Sequence, residues 1–139
     1  MFGAWHFVHG HSGVVERPDY VLGLERKGWG LCFRQRAGTF NWVHFAIPTF
    51  ALYNWRIDHV HVKFTAGEYA RVSEVNLWDG NIKFWEQNLN YAGGEIDAMI
   101  ELDREWEIFR ALGVSLKVEA DSAGDAHFMF HAVGANFRQ

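Results

Sequence analysis

The chain has 139 residues, a length that fits about one domain, since domains cluster at roughly 100–200 residues. Its formal net charge is −4 and no basic stripe is visible, so nucleic-acid binding through phosphate contacts is not expected. The first residues lack a charged start and a long apolar run, and no stretch approaches about 18 apolar residues. We therefore expect no signal peptide, no membrane partner and, by default, a cytoplasmic location.

Apolar and polar residues alternate with a period of two along most of the chain, which predicts half-buried β-strands. The predicted strands, in chain order, are Trp5–Val8, Tyr20–Leu24, Gly30–Arg34, Trp42–Ile47, Arg56–Phe64, Val72–Trp78, Ile82–Trp85, Val114–Val118 and His127–Val133. Turn residues separate them at a spacing of about 8–12 residues, typical of a sandwich or barrel. The pattern predicts an all-β fold, a two-sheet antiparallel, jelly-roll-like β-sandwich, as a single domain over residues 1–139.

The segment Ile96–Leu112 fits two structures. As a strand, it places Ile100 and Leu102 on one face and a row of acidic residues on the other. As a helix, it gathers Met99, Leu102 and further apolar residues on one side, and its glutamates and arginines are good helix formers. The sequence leaves a short helix near residues 97–110 open.

Several segments of the chain occur together in a fixed order and spacing. They are His9-Gly10-His11-Ser12, Gly28-Trp29-Gly30, Gly38–Thr49, Val60–Phe64, Val75–Gly80, Leu112–Ser115 and Gly134–Phe137. This set resembles an uncharacterised family of small bacterial and fungal proteins from about residue 9 to the end. The resemblance implies a compact β-sandwich-like domain and brings no activity with it.

Two histidines form a His-x-His pair on the Arg56–Phe64 strand. His59 and His61 share a strand face, about 6–7 Å apart along the strand. Such a pair can present two imidazoles to a metal ion, but a catalytic site needs at least one further ligand. We select His127 as the third ligand, ahead of His44, His131 and Glu74. A divalent metal cofactor and a histidine-dependent metalloenzyme therefore form one hypothesis; solvated or neighbour-bonded histidines are the structural alternative.

Aromatic residues are abundant, with 12 Phe, 7 Trp and 4 Tyr. Exposed rings on a sandwich suit stacking on sugars or burial against another subunit, whereas the rest pack in the core. The predicted ligand-binding residues are Trp42, His44, Tyr53, Trp55 and Trp78.

The sequence contains no Gly-x-Ser-x-Gly motif, no phosphate-binding loop and no glycine-rich dinucleotide-binding turn. It therefore indicates no catalytic residue. The favoured function is a non-enzymatic binding or assembly module for a carbohydrate, small molecule or protein partner. A structural homo-oligomer is a further alternative.

Overall fold

The computed structural model describes residues 3–49 and 55–139, and most of these lie in antiparallel strands. The strands are β1 (Gly3–His9), β2 (Val14–Val15), β3 (Val21–Lys27), β4 (Gly30–Gln35), β5 (Phe40–Ile47), β6 (Arg56–Asp79), β7 (Ile82–Glu107), β8 (Leu112–Ala120) and β9 (Ala126–Arg138). Short 3₁₀ segments occur at Gly10–Ser12 and Pro18–Tyr20. Within the described ranges no helix has the length and hydropathy needed to cross a membrane.

The long β6–β7 hairpin bends and contributes to two packed layers. The first half of β6 pairs with β9, up to Ala66 opposite Phe128, and the second half pairs with β8, from Ala70 opposite Ala120. One layer, which we call the β1 layer, contains β1, β3, β4 and β9 together with the first half of β6 and the second half of β7. The other, the β5 layer, contains β2, β5 and β8 together with the second half of β6 and the first half of β7. Gly93 and Gly94, both with positive φ, let β7 turn from one layer to the other. The prediction of a two-layer antiparallel sandwich is confirmed.

The core lies between the layers and is built from the inward residues of each strand. Phe130 of β9 is fully buried, and its ring centroid lies 5.4 Å from that of Phe64 and 6.2 Å from that of Phe33, both in the β1 layer. Phe45 of the β5 layer meets it at 5.7 Å. The period-two pattern therefore marks the buried face of each layer.

The segment near residues 97–110 is a strand, and the alternative of a short helix is wrong. Strand β7 continues to Glu107 and pairs with β6, with Ile100 opposite Val60 and Glu101 opposite His59. Ile100 and Leu102 are buried, whereas Glu101 faces solvent. Pairing with β6 satisfies the backbone and buries the apolar face, which outweighs the helix propensity of the glutamates and arginines.

Candidate functional site

Three of the predicted ligand-binding residues lie on the outer face of the β5 layer. Trp42 and His44 alternate along β5 with Val43 and Phe45, which are buried. Trp78 lies near the end of β6, on the other side of β8. The alternation of β5 therefore presents its tryptophan and histidine on the outer face of the layer.

A trough of about 460 Å³ crosses this face between Trp78 and His44. We call it the Trp78 trough; its lining residues are Ser12, Val14, His44, Phe45, Ala46, Trp78, Gly80 and Ala111–Ser115. Ala46 lies opposite Gly113, and Gly113 lies opposite Trp78, so the strand between the two walls has little side-chain bulk. The depression exists because these two cross-strand positions hold alanine and glycine.

His44 is held in the wall of the trough by both of its ring nitrogens. Its Nε2 lies 2.9 Å from Glu16 Oε1, and its Nδ1 lies 2.7 Å from Ser115 Oγ. A carboxylate only accepts hydrogen bonds, so Nε2 donates to Glu16, and in the neutral ring Nδ1 accepts from the Ser115 hydroxyl. The ring orientation is thereby fixed, and three polar side chains line up beside the apolar floor.

The end of the trough next to Trp78 is held by Asp79. Its carboxylate accepts hydrogen bonds from the backbone N–H groups of Phe109, Arg110 and Ala111, at 2.9–3.1 Å. Bonds to a charged acceptor are stronger than neutral ones, so they fix the segment that supplies Ala111 to the lining. Local sequence pattern could not indicate this role of Asp79, because its bonded partners are about 30 residues away.

Trp42 extends the outer face beyond the trough. It lies opposite Lys117 of β8, and the Lys117 ammonium lies 4.7 Å from the ring centre of Phe40. Phe40 is exposed. Aromatic rings and charged groups therefore continue along β5 from the trough towards the start of that strand.

The remaining predicted ligand-binding residues lie elsewhere. Tyr53 lies outside the described residues. Trp55 packs against the hydrophobic core, and its carbonyl oxygen accepts a hydrogen bond from the backbone of Ile108. Trp55 is not among the lining residues of the trough.

The structure separates the three predicted metal ligands. His59 and His61 lie side by side on the outer face of the β1 layer, where Gly134 is opposite His61. His127 lies near the other end of β9, opposite Arg34. Residues 3–49 and 55–139 contain no group of three or more His, Cys, Asp or Glu side chains that could hold a metal ion.

A second cavity, of about 590 Å³, lies at the bend of the β6–β7 hairpin. Tyr69 contributes an aromatic ring to it, and Arg71 and Glu119 form an ion pair of 3.2 Å in its wall. Tyr69 adopts a positive φ of 65°. This cavity combines one aromatic ring with a paired set of charges.

The architecture is that of the β-sandwich found in carbohydrate-binding modules. A family 29 carbohydrate-binding module superimposes with a TM-score of 0.55 at 10% identity, over 97% of this chain and 90% of that one. A family 36 module in complex with calcium and xylotriose gives 0.52 at 13% identity, over 95% and 98% of the two chains. A family 29 variant complexed with cellohexaose gives 0.54 at 12%, over 96% and 91%.

The chain belongs to the family of unknown function DUF6623, whose model matches residues 2–137. No curated protein matches this chain. The resemblance to an uncharacterised family of small proteins is thereby confirmed.

Proposed function

We propose that this protein is a non-enzymatic carbohydrate-binding module and that the Trp78 trough holds the sugar. The observation that carries the proposal is the trough itself. A tryptophan ring stands on one side of an alanine–glycine floor, and the hydrogen-bonded chain of His44, Ser115 and Glu16 stands on the other.

A sugar ring matches both walls of this trough. Its C–H groups form an apolar surface that packs against an aromatic ring, and its hydroxyl groups need hydrogen-bond partners at the edge. The trough volume of about 460 Å³ lies within the range of about 300–1,000 Å³ that is usual for ligand sites. The trough therefore accommodates one or a few sugar units of a longer chain.

Binding without hydrolysis is favoured by the side chains of the trough. Glycoside hydrolysis needs two carboxyl groups that face each other across the sugar. The carboxylates described beside the trough, Glu16 and Asp79, are not among its lining residues, and they are bonded to His44 and to backbone N–H groups. Ser115, His44 and Glu16 follow the order of a hydrolytic triad, but Ser115 lies inside β8 and pairs with both β5 and β6. Its backbone N–H belongs to the sheet and is not free to stabilise an oxyanion.

The fold likeness supports the same class of ligand. The similar solved modules include one in complex with xylotriose and one complexed with cellohexaose. Because identity to them is 13% or less, the likeness concerns the scaffold, and the sugar specificity of this chain rests on its own residues.

The test is to screen the protein on a glycan array and to titrate it calorimetrically with cellohexaose, xylotriose and the strongest array ligand. We expect Trp78→Ala to weaken binding by about tenfold or more, since losing ring contacts worth about 1.4 kcal/mol changes Kd tenfold. Trp29→Ala is the matched control, because Trp29 is 58% exposed at the β3–β4 turn, outside the trough.

Thermal unfolding of both variants checks that each remains folded. Equal affinity of Trp78→Ala and the unmodified protein would exclude the trough as the site. The absence of any bound glycan would exclude the function.

A further inference from the structure

The outer face of the β1 layer, on the opposite side of the sandwich from the Trp78 trough, carries a second aromatic surface. Trp5 and Phe7 lie two residues apart on β1, so both point outward from the same face. Their ring centroids are 5.6 Å apart and their planes are inclined by only 19°. Trp5 is 37% exposed and Phe7 is 46% exposed, so both rings remain open to a ligand.

Two histidines complete this surface, which we call the Trp5 platform (Trp5, Phe7, His59 and His61). His61 meets both rings edge-on, with centroids 5.9 Å from Trp5 and 5.5 Å from Phe7, and His59 lies 6.5 Å from Trp5. The period-two pattern of β6 predicts a shared face for His59 and His61 but does not indicate that the rings of β1 pack against them. That contact depends on β1 and β6 flanking β9.

The shape of the platform depends on Gly134 of β9, which lies opposite both Phe7 and His61. A Cβ atom at this position would lie 2.4 Å from Phe7 Cδ1, so the Phe7 ring lies directly over the glycine. Met99, opposite His61 and 59% exposed, continues the apolar surface towards β7. The result is a surface across four strands on which apolar side chains lie beside the two histidines and Asn136.

Polar groups border the platform at both ends. Next to Trp5, Asp58 accepts a hydrogen bond from Asn136 (3.0 Å) and forms ion pairs with His59 (2.9 Å) and Arg138 (2.6 Å). Burial raises the pKa of Asp58, but the hydrogen bonds from His59 and Asn136 and the two nearby positive charges outweigh it and hold the pKa below its usual value. At the other end His61 donates a hydrogen bond to Asp97. Carboxylate, amide and guanidinium groups therefore border the rings of the platform, and groups of these types form hydrogen bonds with the hydroxyls of a ligand.

We propose that the Trp5 platform is a second carbohydrate site, at which a glycan packs against the exposed part of the stacked Trp5 and Phe7 rings. The sugar class rests on the function proposed above. The two rings are stacked on each other, and the part of each that stays exposed offers aromatic surface to a sugar ring, whose hydroxyl groups face the polar ends. A protein surface is the less suitable occupant, because it would bury the charged groups at both ends away from water.

The consequence is a bivalent module. The trough and the platform lie on the outer faces of different layers, so they point away from each other and can hold two separate glycan chains. Simultaneous binding at two sites raises the overall affinity for a polymer and links its chains.

The experiment is a calorimetric titration of the full chain with cellohexaose, xylotriose and the strongest array ligand. We expect two sites in the unmodified protein, one site in Trp5→Ala, one site in Trp78→Ala and none in the double variant. Trp29→Ala serves as the control and keeps both sites. Trp5→Ala could also lose binding because β1 detaches from the sheet. Phe7→Leu separates the two causes, because it removes an aromatic ring but keeps an apolar side chain on β1.

The outcomes separate the two proposals. One site that is lost in Trp78→Ala but kept in Trp5→Ala and Phe7→Leu overturns the second site and leaves the trough. One site that is lost in Trp5→Ala but kept in Trp78→Ala supports the platform, and overturns both the trough and bivalency. No binding of any of these glycans overturns both proposals.

Discussion

Asp58 is a carboxylate with three neighbours that favour its ionised form. His59, Asn136 and Arg138 each place a nitrogen within 3.0 Å of its oxygens. These partners come from β6 and β9, so they are held together only in the folded protein. A pKa that is lower in the folded than in the unfolded state means that the ionised group stabilises the fold.

For Asp58→Asn we predict a pH-dependent loss of stability. The contribution of Asp58 is fully present above its unfolded pKa and is lost as the pH falls through the lower folded pKa. The difference in unfolding free energy between the unmodified protein and the variant is therefore expected to be full near neutral pH and to shrink below about pH 4. Urea denaturation from pH 6 to pH 2 measures it, and Asp19→Asn, an exposed change outside this network, is the control. A difference that stays constant over this range would contradict the role of Asp58.

Asn41 has hydrogen-bond partners that the sequence around it could not predict. Its side-chain oxygen accepts a hydrogen bond from the backbone N–H of Trp42, the next residue. The buried amide also bonds both the N–H and the carbonyl of Arg17, and its Nδ2 reaches Gln35 Oε1 at 3.2 Å. Arg17 is 24 residues away. Local pattern cannot reveal such a partner, because the strand order decides it.

At the scale of elements, the β6–β7 hairpin differs most from the pattern. The sequence predicted strands at Arg56–Phe64 and Val72–Trp78, separated by the turn residues Ala66-Gly67. The structure has one strand, Arg56–Asp79, with a register shift between Ala66 and Arg71. The strand bends here without ending, because β7 continues to pair with β6 on both sides of the register shift.

The stacked phenylalanines between the layers make a prediction at this scale. Phe130→Ala is expected to cost about 3–5 kcal/mol of unfolding free energy, since it empties a fully buried site that contacts both layers. Phe109→Ala is the matched control, because Phe109 is 63% exposed, and a change within about 0.5 kcal/mol is expected. Urea denaturation of both variants measures the two values. A loss of less than about 1 kcal/mol in Phe130→Ala would contradict a close-packed core at this position.

At the scale of the whole molecule, the sandwich is closed by side-chain packing between the layers. The buried hydrophobic residues form one cluster that includes members of both layers. The described part of the chain has no side-chain group suited to a metal ion. Burial of this cluster favours the folded state.

We predict that treatment with EDTA leaves the thermal unfolding midpoint of the protein unchanged. The physical reason is that a structural metal adds its binding free energy to folding, so its removal lowers stability. Calorimetric scans of untagged protein before and after dialysis against the chelator measure this. A clear fall of the midpoint, restored by added calcium or zinc, would show that a metal takes part in the fold.

The sequence by itself determined the all-β class and, along strands such as β5, which side chains face the core. A period of two follows from the geometry of the extended chain, so Trp42 and His44 are outward and Val43 and Phe45 are inward whichever strands lie beside β5. Trp78 is a predicted ligand-binding residue because it is one of several tryptophans on predicted strands.

Only the tertiary structure decided which outward residues meet. The Ala46–Gly113–Trp78 row of the trough and the packing of Trp5 and Phe7 against His61 require strands that are distant in sequence to lie side by side. The same strand order separates His127 from His59 and His61. Local alternation sets the direction of a side chain, whereas its neighbours depend on which strands pair. The strand order is the one that buries the apolar faces of all the strands together, so it cannot be inferred from any single segment.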